Sequence, residues 1–368
     1  MISAWVGQGN FGDELLSYGL RLELQKTLDV ERFFYYESGG YSLYGGGESD
    51  SSTVLNVGKK NSLARLSQRY FQSLNGYDSV FFGGGSIFHS SNSISWKHQL
   101  LRKVRKENPL IKTAAVGVSL GPFVDVNAER QALAMLQELD LVYCRDALSA
   151  DFARQLAGKV EVVHGRDLAF SVKALRPQLF LPEVASGRIG ISFILDPKLE
   201  VVERELRFMK MQAIVDFLTA SGNEVMLVGL YSGTKYADDL LNLRLYDGAK
   251  NKELVRLLRY DKDIAEVISC ISSCSFYISM RLHGLVTAFL SGVPCFSLNP
   301  HPKVVEFFKS VTGFGGGEGW ADLNCDLSYI KDRISESLRQ RSQGGGAYNS
   351  DEDDFYLSGS RSLEELLR

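Results

Sequence analysis

The chain of 368 residues is longer than one ordinary domain, which holds about 100–200 residues, so two domains are the expected count. Its hydrophobic fraction of 45% and charged fraction of 23% are those of a globular protein with material for two cores. A formal net charge of −3 excludes a strongly basic nucleic-acid surface or polybasic membrane patch, while a few local cations still suffice for a small anionic ligand.

The five cysteines, Cys144, Cys270, Cys274, Cys295 and Cys325, match no zinc spacing, and no histidine pair has the H-x-x-x-H spacing, so no metal site is expected. Cys270 and Cys274 read as packing residues, and all five are expected to be reduced, in a cytoplasmic chain. No apolar run approaches the ~20 residues of a spanning helix, and the N-terminus lacks a secretory leader's basic region and cleavage site. The expectation is a protein without an integral membrane segment. A lipid-borne substrate would still bring it to the inner membrane face.

In chain order, short apolar runs alternate with helix-length amphipathic ones, the pattern of parallel α/β sheets. Residues 2–6 predict a first strand, 7–13 a loop and 14–28 a helix. Residues 79–82 predict a strand that stops at Gly83-Gly84-Gly85, with a helical stretch around 96–106. Strands over 113–118 and 141–144 end near Gly121-Pro122 and at Arg145-Asp146. A second series follows: strands at 189–193, 224–228, 275–279 and 295–298, with helices over 199–221, 261–274 and 285–291. The Pro-, Gly- and polar-rich stretch 177–188 separates the series. The expected domains are 1–180 and 181–345, with a tail and terminal helix over 346–368. Segments 38–50, 314–319 and 343–346 read as a flexible loop and Gly-rich hinges. The architecture expected is two doubly wound, Rossmann-like domains facing across a cleft, with ligands beyond the carboxyl ends of the strands.

The run Gly7-Gln8-Gly9-Asn10-Phe11-Gly12-Asp13-Glu14 links a strand to a helix. Glycines permit close backbone approach and a helix start favours an anion, but a plain tight turn explains them too. A dinucleotide fingerprint fits Gly7, Gly9 and Gly12, without a clear acidic partner on the second strand. Gly83-Gly84-Gly85-Ser86 reads as a loop whose backbone is open to a ligand, and Ser119 as part of a cleft wall. Arg145 at a strand end suits a carboxylate or phosphate, with an ion pair to Asp146 or another local acid as the even alternative.

The strongest run is Ser279-Met280-Arg281-Leu282-His283-Gly284, where a strand ends and a helix is expected from about Gly284. Arginine supplies fixed charge, and histidine exchanges protons near neutral pH. Lys303 follows the next strand, so Arg281, His283 and Lys303 are expected around one pocket. His89, His98, His164 and His301 are weaker candidates.

These motifs, with Gly117-Val118-Ser119-Leu120-Gly121-Pro122 and Gly292-Val293-Pro294, occur in an order that resembles the polysaccharide pyruvyl transferase family from Gly7 to about Lys303. The resemblance implies a fold similar to B-type glycosyltransferases. It implies phosphoenolpyruvate as donor, a sugar acceptor of an exopolysaccharide or cell-surface glycan, free or lipid-linked, a pyruvyl ketal as product and no cofactor. It places donor-binding roles on Arg145, Arg281 and Lys303 and the catalytic role on His283. Many family members carry an aspartate shortly after the Gly-Gly-Gly loop, where this chain has His89. Asn10, Asp13, Gly84, Gly85, Ser86 and Ser119 are the acceptor or cleft-lining candidates, in the first domain. Two alternatives stay open: a nucleotide-sugar-dependent glycosyltransferase of the same fold, and a non-catalytic polysaccharide-assembly protein. An oxidoreductase rests on Gly7, Gly9 and Gly12 alone.

Overall fold

The computed structural model describes residues 2–3, 9–27, 34–37, 53–56, 78–155, 160–181, 187–233, 238–261, 263–298, 301–311, 319–341 and 363–365. The features expected at 4–8, 38–50, 299–300, 314–318 and 343–346 lie outside these. Contacts divide the chain into two compact units. One comprises Met1–Gln8, Asp13–Leu175 and Ser350–Arg368, and the other Gly9–Gly12 and Arg176–Asn349. The change of unit thus falls at 175/176, against the expected 180/181, and residues 350–368 group with the first unit.

The first unit is built on a parallel sheet of seven strands: β1 (Ile2–Ser3), β2 (Phe34–Glu37), β3 (Thr53–Asn56), β4 (Ser79–Phe88), β5 (Lys112–Leu120), β6 (Leu141–Cys144) and β7 (Glu161–His164). Their order is β3-β2-β1-β4-β5-β6-β7. The helices are α1 (Phe11–Thr27), α2 (Ser91–Glu107), α3 (Val126–Leu136), α4 (Ala147–Arg154) and α5 (Leu168–Leu175). A parallel sheet needs crossovers, and these bury both of its faces. Val80 and Phe82 of β4, Ala115 of β5, and Val142 and Cys144 of β6 pack with apolar residues of α2, α3 and α4. Their chain neighbours Phe81, Ala114, Val116, Leu141 and Tyr143 form the other core, with Leu16, Leu20 and Leu24 of α1 and Leu168 of α5. Leu363, in the helical turn 363–365, is buried in that second cluster. Both faces being apolar is why these strands read as continuous hydrophobic runs and not as alternating ones.

Strand β4 departs from expectation. It does not stop at Gly83 but continues to Phe88, with a register shift between Gly85 and Phe88. Gly84 and Gly85 adopt φ of 81° and 80°, where a side chain is strained. A Cβ on Gly83 would lie 2.3 Å from Leu20 Cδ2, and one on Gly84 3.5 Å from Leu16 Cβ. Close seating of α1 on the sheet therefore accounts for Gly83, and the positive φ for Gly84, without a ligand.

The second unit carries a parallel sheet of five strands: β8 (Arg188–Ser192), β9 (Glu224–Val228), β10 (Val255–Leu258), β11 (Phe276–Ser279) and β12 (Cys295–Ser297). Its helices are α6 (Val201–Ala220), α7 (Asp238–Gly248), α8 (Ile264–Ser272), α9 (Leu282–Leu290), α10 (Pro302–Ser310) and α11 (Leu327–Arg341). Ile189, Ile191, Val225, Leu227, Phe276, Ile278 and Phe296 pack against Met211, Ile214, Val215 and Leu218 of α6 and Ile330 and Ile334 of α11. The strand order is β10-β9-β8-β11-β12. The chain steps outward from β8 to β10, then returns to β8's other side as β11. The crevice beyond the carboxyl ends of β8 and β11 is thus the topological switch point, where doubly wound sheets bind their ligands.

Candidate functional site

The second unit's switch point is assembled from the end of β11. Ser279 is fully buried, and its Oγ accepts the Arg281 N–H at 2.9 Å and donates to the Arg281 carbonyl at 3.0 Å. This local clamp makes Arg281 the N-cap residue, with extended φ −110° and ψ 131°, and α9 begins at Leu282, ahead of the expected Gly284. A Cβ on Gly284 would meet Ser279 Oγ at 2.7 Å, so the glycine permits this tight helix start.

The Arg281 side chain is held by residues distant in sequence. Its Nη2 donates to Asp238 Oδ1 at 2.5 Å, and the Asp238 side chain is 5% exposed. The other Asp238 oxygen accepts the Leu230 N–H at 2.9 Å. The guanidinium carbon lies 5.8 Å from the centroid of the Tyr231 ring. The Arg281 Nε is buried and has no hydrogen-bond partner among the described residues. Arg281, Asp238, Tyr231 and Asn10 line a cavity of about 510 Å³, with Arg204 and Arg244 on its wall. Aliphatic side chains of the loop after β8 and of the start of α7 complete the lining. That volume is in the range of small-molecule sites.

Asn10 corrects the expected layout. The Gly9–Gly12 segment groups with the second unit and not with the N-terminal domain. Asn10 pairs with Tyr231 in an antiparallel bridge, the Ser232 N–H donates to the Gly9 carbonyl at 2.8 Å, and the Phe11 N–H to the Leu230 carbonyl at 2.9 Å. Asn10 Oδ1 accepts the Gly12 N–H at 3.1 Å. Helix α1 therefore starts at Phe11, earlier than the expected Glu14. Gly9 has φ 70°, and a Cβ there would sit 2.5 Å from Ser232 Oγ. A Cβ on Gly12 would sit 2.1 Å from His283 Nδ1. Gly9 and Gly12 are thus required by contacts with the loop after β9 and with His283.

His283 is half-buried in the first turn of α9, and its carbonyl accepts Thr287 Oγ1 at 2.7 Å. Gly12→Ala is expected to push the imidazole aside; on the expectation that His283 takes part in the chemistry, turnover should fall at least about tenfold, because misplacing a reacting group by ~1 Å costs on that order or more. Steady-state kinetics beside a thermal melt check it, and unchanged turnover with a normal melt overturns it.

Lys303 lies in the first turn of α10, not at a strand end, and it is not among the cavity's lining residues. Its N–H meets His301 Nδ1 at 3.3 Å. Partial burial, then the Lys303 charge, hold the His301 imidazole below its ordinary pKa.

Arg145 follows β6, in the first unit. Its side chain is 6% exposed, and its Nε donates to Ser119 Oγ at 2.7 Å and its Nη1 to Asp167 Oδ2 at 2.8 Å. Ser119 is itself buried and donates to Asp146 Oδ2 at 2.7 Å, while Asp146 Oδ1 caps α4 through the Ser149 N–H. The fork expected to face a ligand is therefore committed to a buried ion pair, with an acid other than the adjacent Asp146. Asp13 lies in the first turn of α1, and its Oδ1 would be 3.5 Å from a Cβ on Gly85. Ser86 is half-buried, with its carbonyl 2.9 Å from His89 Nδ1.

Asp238, Tyr231, Arg204 and Arg244 were absent from the sequence reading. Asp238 and Asp239 look like ordinary first-turn helix acids, and the arginines like a solvated helix face. Nothing local separates them from such residues.

A profile of the polysaccharide pyruvyl transferase family matches residues 10–302. A comparison with curated proteins finds no match. Among solved structures, the UDP-GlcNAc 2-epimerase of Methanocaldococcus jannaschii is similar, with a TM-score of 0.62 and 11% identity over 100% of this chain and 99% of that one. The UDP-GlcNAc 2-epimerase of Neisseria meningitidis bound to UDP-GlcNAc gives 0.60 and 11%, covering 100% and 98%. Phytolacca americana UGT2, complexed with UDP-2fluoro-glucose and pterostilbene, gives 0.55 and 9%, covering 100% and 99%. These likenesses establish the fold, that of B-type glycosyltransferases. No helix among the described residues is long and apolar enough to cross a membrane. With the ordered motifs, the doubly wound fold and a family profile spanning most of the chain in agreement, the chain belongs to the polysaccharide pyruvyl transferase family, a family of transferases.

Proposed function

We propose that the protein transfers the pyruvyl group of phosphoenolpyruvate to two hydroxyls of one sugar, in an exopolysaccharide or cell-surface glycan, forming a ketal and releasing phosphate. The observation that carries this reading is the pairing of Arg281 and His283 at the switch point of the second unit, inside the family match. Phosphoenolpyruvate bears a carboxylate and a phosphate on a small frame, and the Arg281 fork suits either. Protonation of its methylene carbon makes an oxocarbenium-like centre, and His283 is the proposed donor of that proton. One sugar hydroxyl attacks that centre, the C–O bond to phosphate breaks, and the second hydroxyl closes the ketal. Of the two hydroxyl protons, one replaces the proton given by His283 and the other leaves with the phosphate.

Lys303 is proposed as a further cation for the donor. Arg145, buried against Asp167 and Ser119, is assigned the organisation of its own wall in the first unit ahead of a direct donor contact. The acceptor sugar is proposed free or lipid-linked, at an inner membrane face in the latter case. The reading is tested by incubating the protein with labelled phosphoenolpyruvate and a panel of free and lipid-linked glycans. Phosphate release matched by label in an acid-labile ketal supports it. A nucleotide-sugar transferase would instead be stabilised in thermal shift by nucleoside diphosphates, and a non-catalytic protein would release no phosphate.

A further inference from the structure

The cavity beside Arg281 is lined by three arginines that differ in what already occupies them. Arg244 is bound fork to fork by Glu205, at 3.0 and 2.5 Å, and its guanidinium lies 3.7 Å from the Phe208 ring centroid. Arg281 is half committed: Nη2 is held by Asp238, while Nε is buried without a hydrogen-bond partner among the described residues. Arg204 comes from the first turn of α6 and is half-buried. Among the described residues its side chain makes no ion pair, and its one hydrogen bond is a long one, Nη1 to the Pro197 carbonyl at 3.5 Å. The adjacent Glu205 feels the Arg204 charge but gives both its oxygens to Arg244. A guanidinium withdrawn in part from water without a bonded carboxylate has strong donors left to offer, and each charged hydrogen bond it gains is worth more than a neutral one.

The lining therefore presents two guanidinium groups that protein partners take up only in part, and a single carboxylate, Asp238, which is already spent on Arg281 and Leu230. Neither the sequence motifs nor the family resemblance singles out Arg204. We propose that Arg204 is an anion-binding residue of this cavity and that, with Arg281, it holds a small ligand carrying two oxyanion groups. On the reading above that ligand is phosphoenolpyruvate, with one anionic group on each arginine, so this inference rests on that reading for the ligand's identity but not for the site. The arrangement also replaces the second cation that Arg145, buried in its own ion pair, does not supply.

The test is binding of phosphoenolpyruvate and, separately, of inorganic pyrophosphate to the full chain by calorimetry. Wild type, Arg204→Gln, Arg204→Lys and Arg281→Gln are compared, with Arg102→Gln, an exposed arginine of α2, as the charge-matched control. Removing one charged contact is expected to weaken phosphoenolpyruvate binding by roughly 10–100-fold for Arg204→Gln and Arg281→Gln. Arg204→Lys keeps the charge without the fork and should fall between, while Arg102→Gln should bind like wild type. Thermal melts confirm that each variant is folded. If Arg204→Gln binds phosphoenolpyruvate as wild type does, Arg204 is not in the site and the inference is overturned, with the proposed donor untouched. If wild type ignores phosphoenolpyruvate but binds pyrophosphate, and Arg204→Gln loses that binding, the anion site stands and the donor reading falls. If wild type binds neither probe, both are overturned.

Discussion

Alanine at position 283 is expected to lower pyruvyl-transfer turnover by about 10²–10⁴-fold, the usual worth of a positioned acid or base, while phosphoenolpyruvate binding changes by no more than a few-fold. The split follows from the geometry. His283 is held by its place in the first turn of α9 and by its contact with Gly12, whereas Arg281 is held independently by Asp238 and the Ser279 clamp. Removing the imidazole leaves the guanidinium and the cavity lining in place. Single-turnover phosphate release together with calorimetric affinity separates the two effects. Near-normal turnover in His283→Ala removes this residue from proton transfer. A loss confined to affinity would make it a binding group instead.

The second large effect is on stability. Asp167→Ala is expected to destabilise the first unit by about 3–5 kcal/mol, because it breaks a buried ion pair by removing the carboxylate at 2.8 Å from Arg145, a side chain only 6% exposed. It also removes the Asp167 Oδ1 acceptor of the Ala169 N–H at the start of α5. Urea unfolding followed at two wavelengths measures the loss, and two probes are needed because two units need not unfold together. The same pair decides how Arg145 acts. As the organiser of the Ser119–Asp146–Asp167 wall, Arg145→Lys should lower stability and leave phosphoenolpyruvate affinity within a few-fold of wild type. A large affinity loss in a variant that melts normally would restore the direct donor contact the sequence suggested.

Much of the scaffold was legible without coordinates, and the reasons lie in particular elements. Runs such as 80–82, 141–144 and 276–278 are apolar on consecutive residues, short enough for strands buried on both faces, and helices follow them. Ser279 to His283 was legible because its structure is local: the strand end, the Ser279 clamp and the helix start are bonded within a few residues of one another. Position in a motif, by contrast, misled at the glycines. Gly83 looked like an open loop, yet the strand continues through it and Leu20 of α1 fills the space a Cβ would take. Lys303 looked like a strand-end cation and is a helix residue, because Pro302 beside it suits a first helical position, with its fixed φ and missing N–H.

By itself the sequence determined the class of each element, the order of the motifs and the place of the Arg281–His283 pair, since these follow from periodicity and from contacts a few residues long. The tertiary structure alone decided which charge meets which. It buried Arg145 against Asp167, gave Arg281 to Asp238, left Arg204 without an ion pair among the described residues, and moved Gly9–Gly12 into the second unit. The partners in these pairs are separated by tens to hundreds of positions, and a side chain carries no local mark of its distant partner. Only the packing of whole elements brings a guanidinium within reach of one carboxylate and holds it away from another.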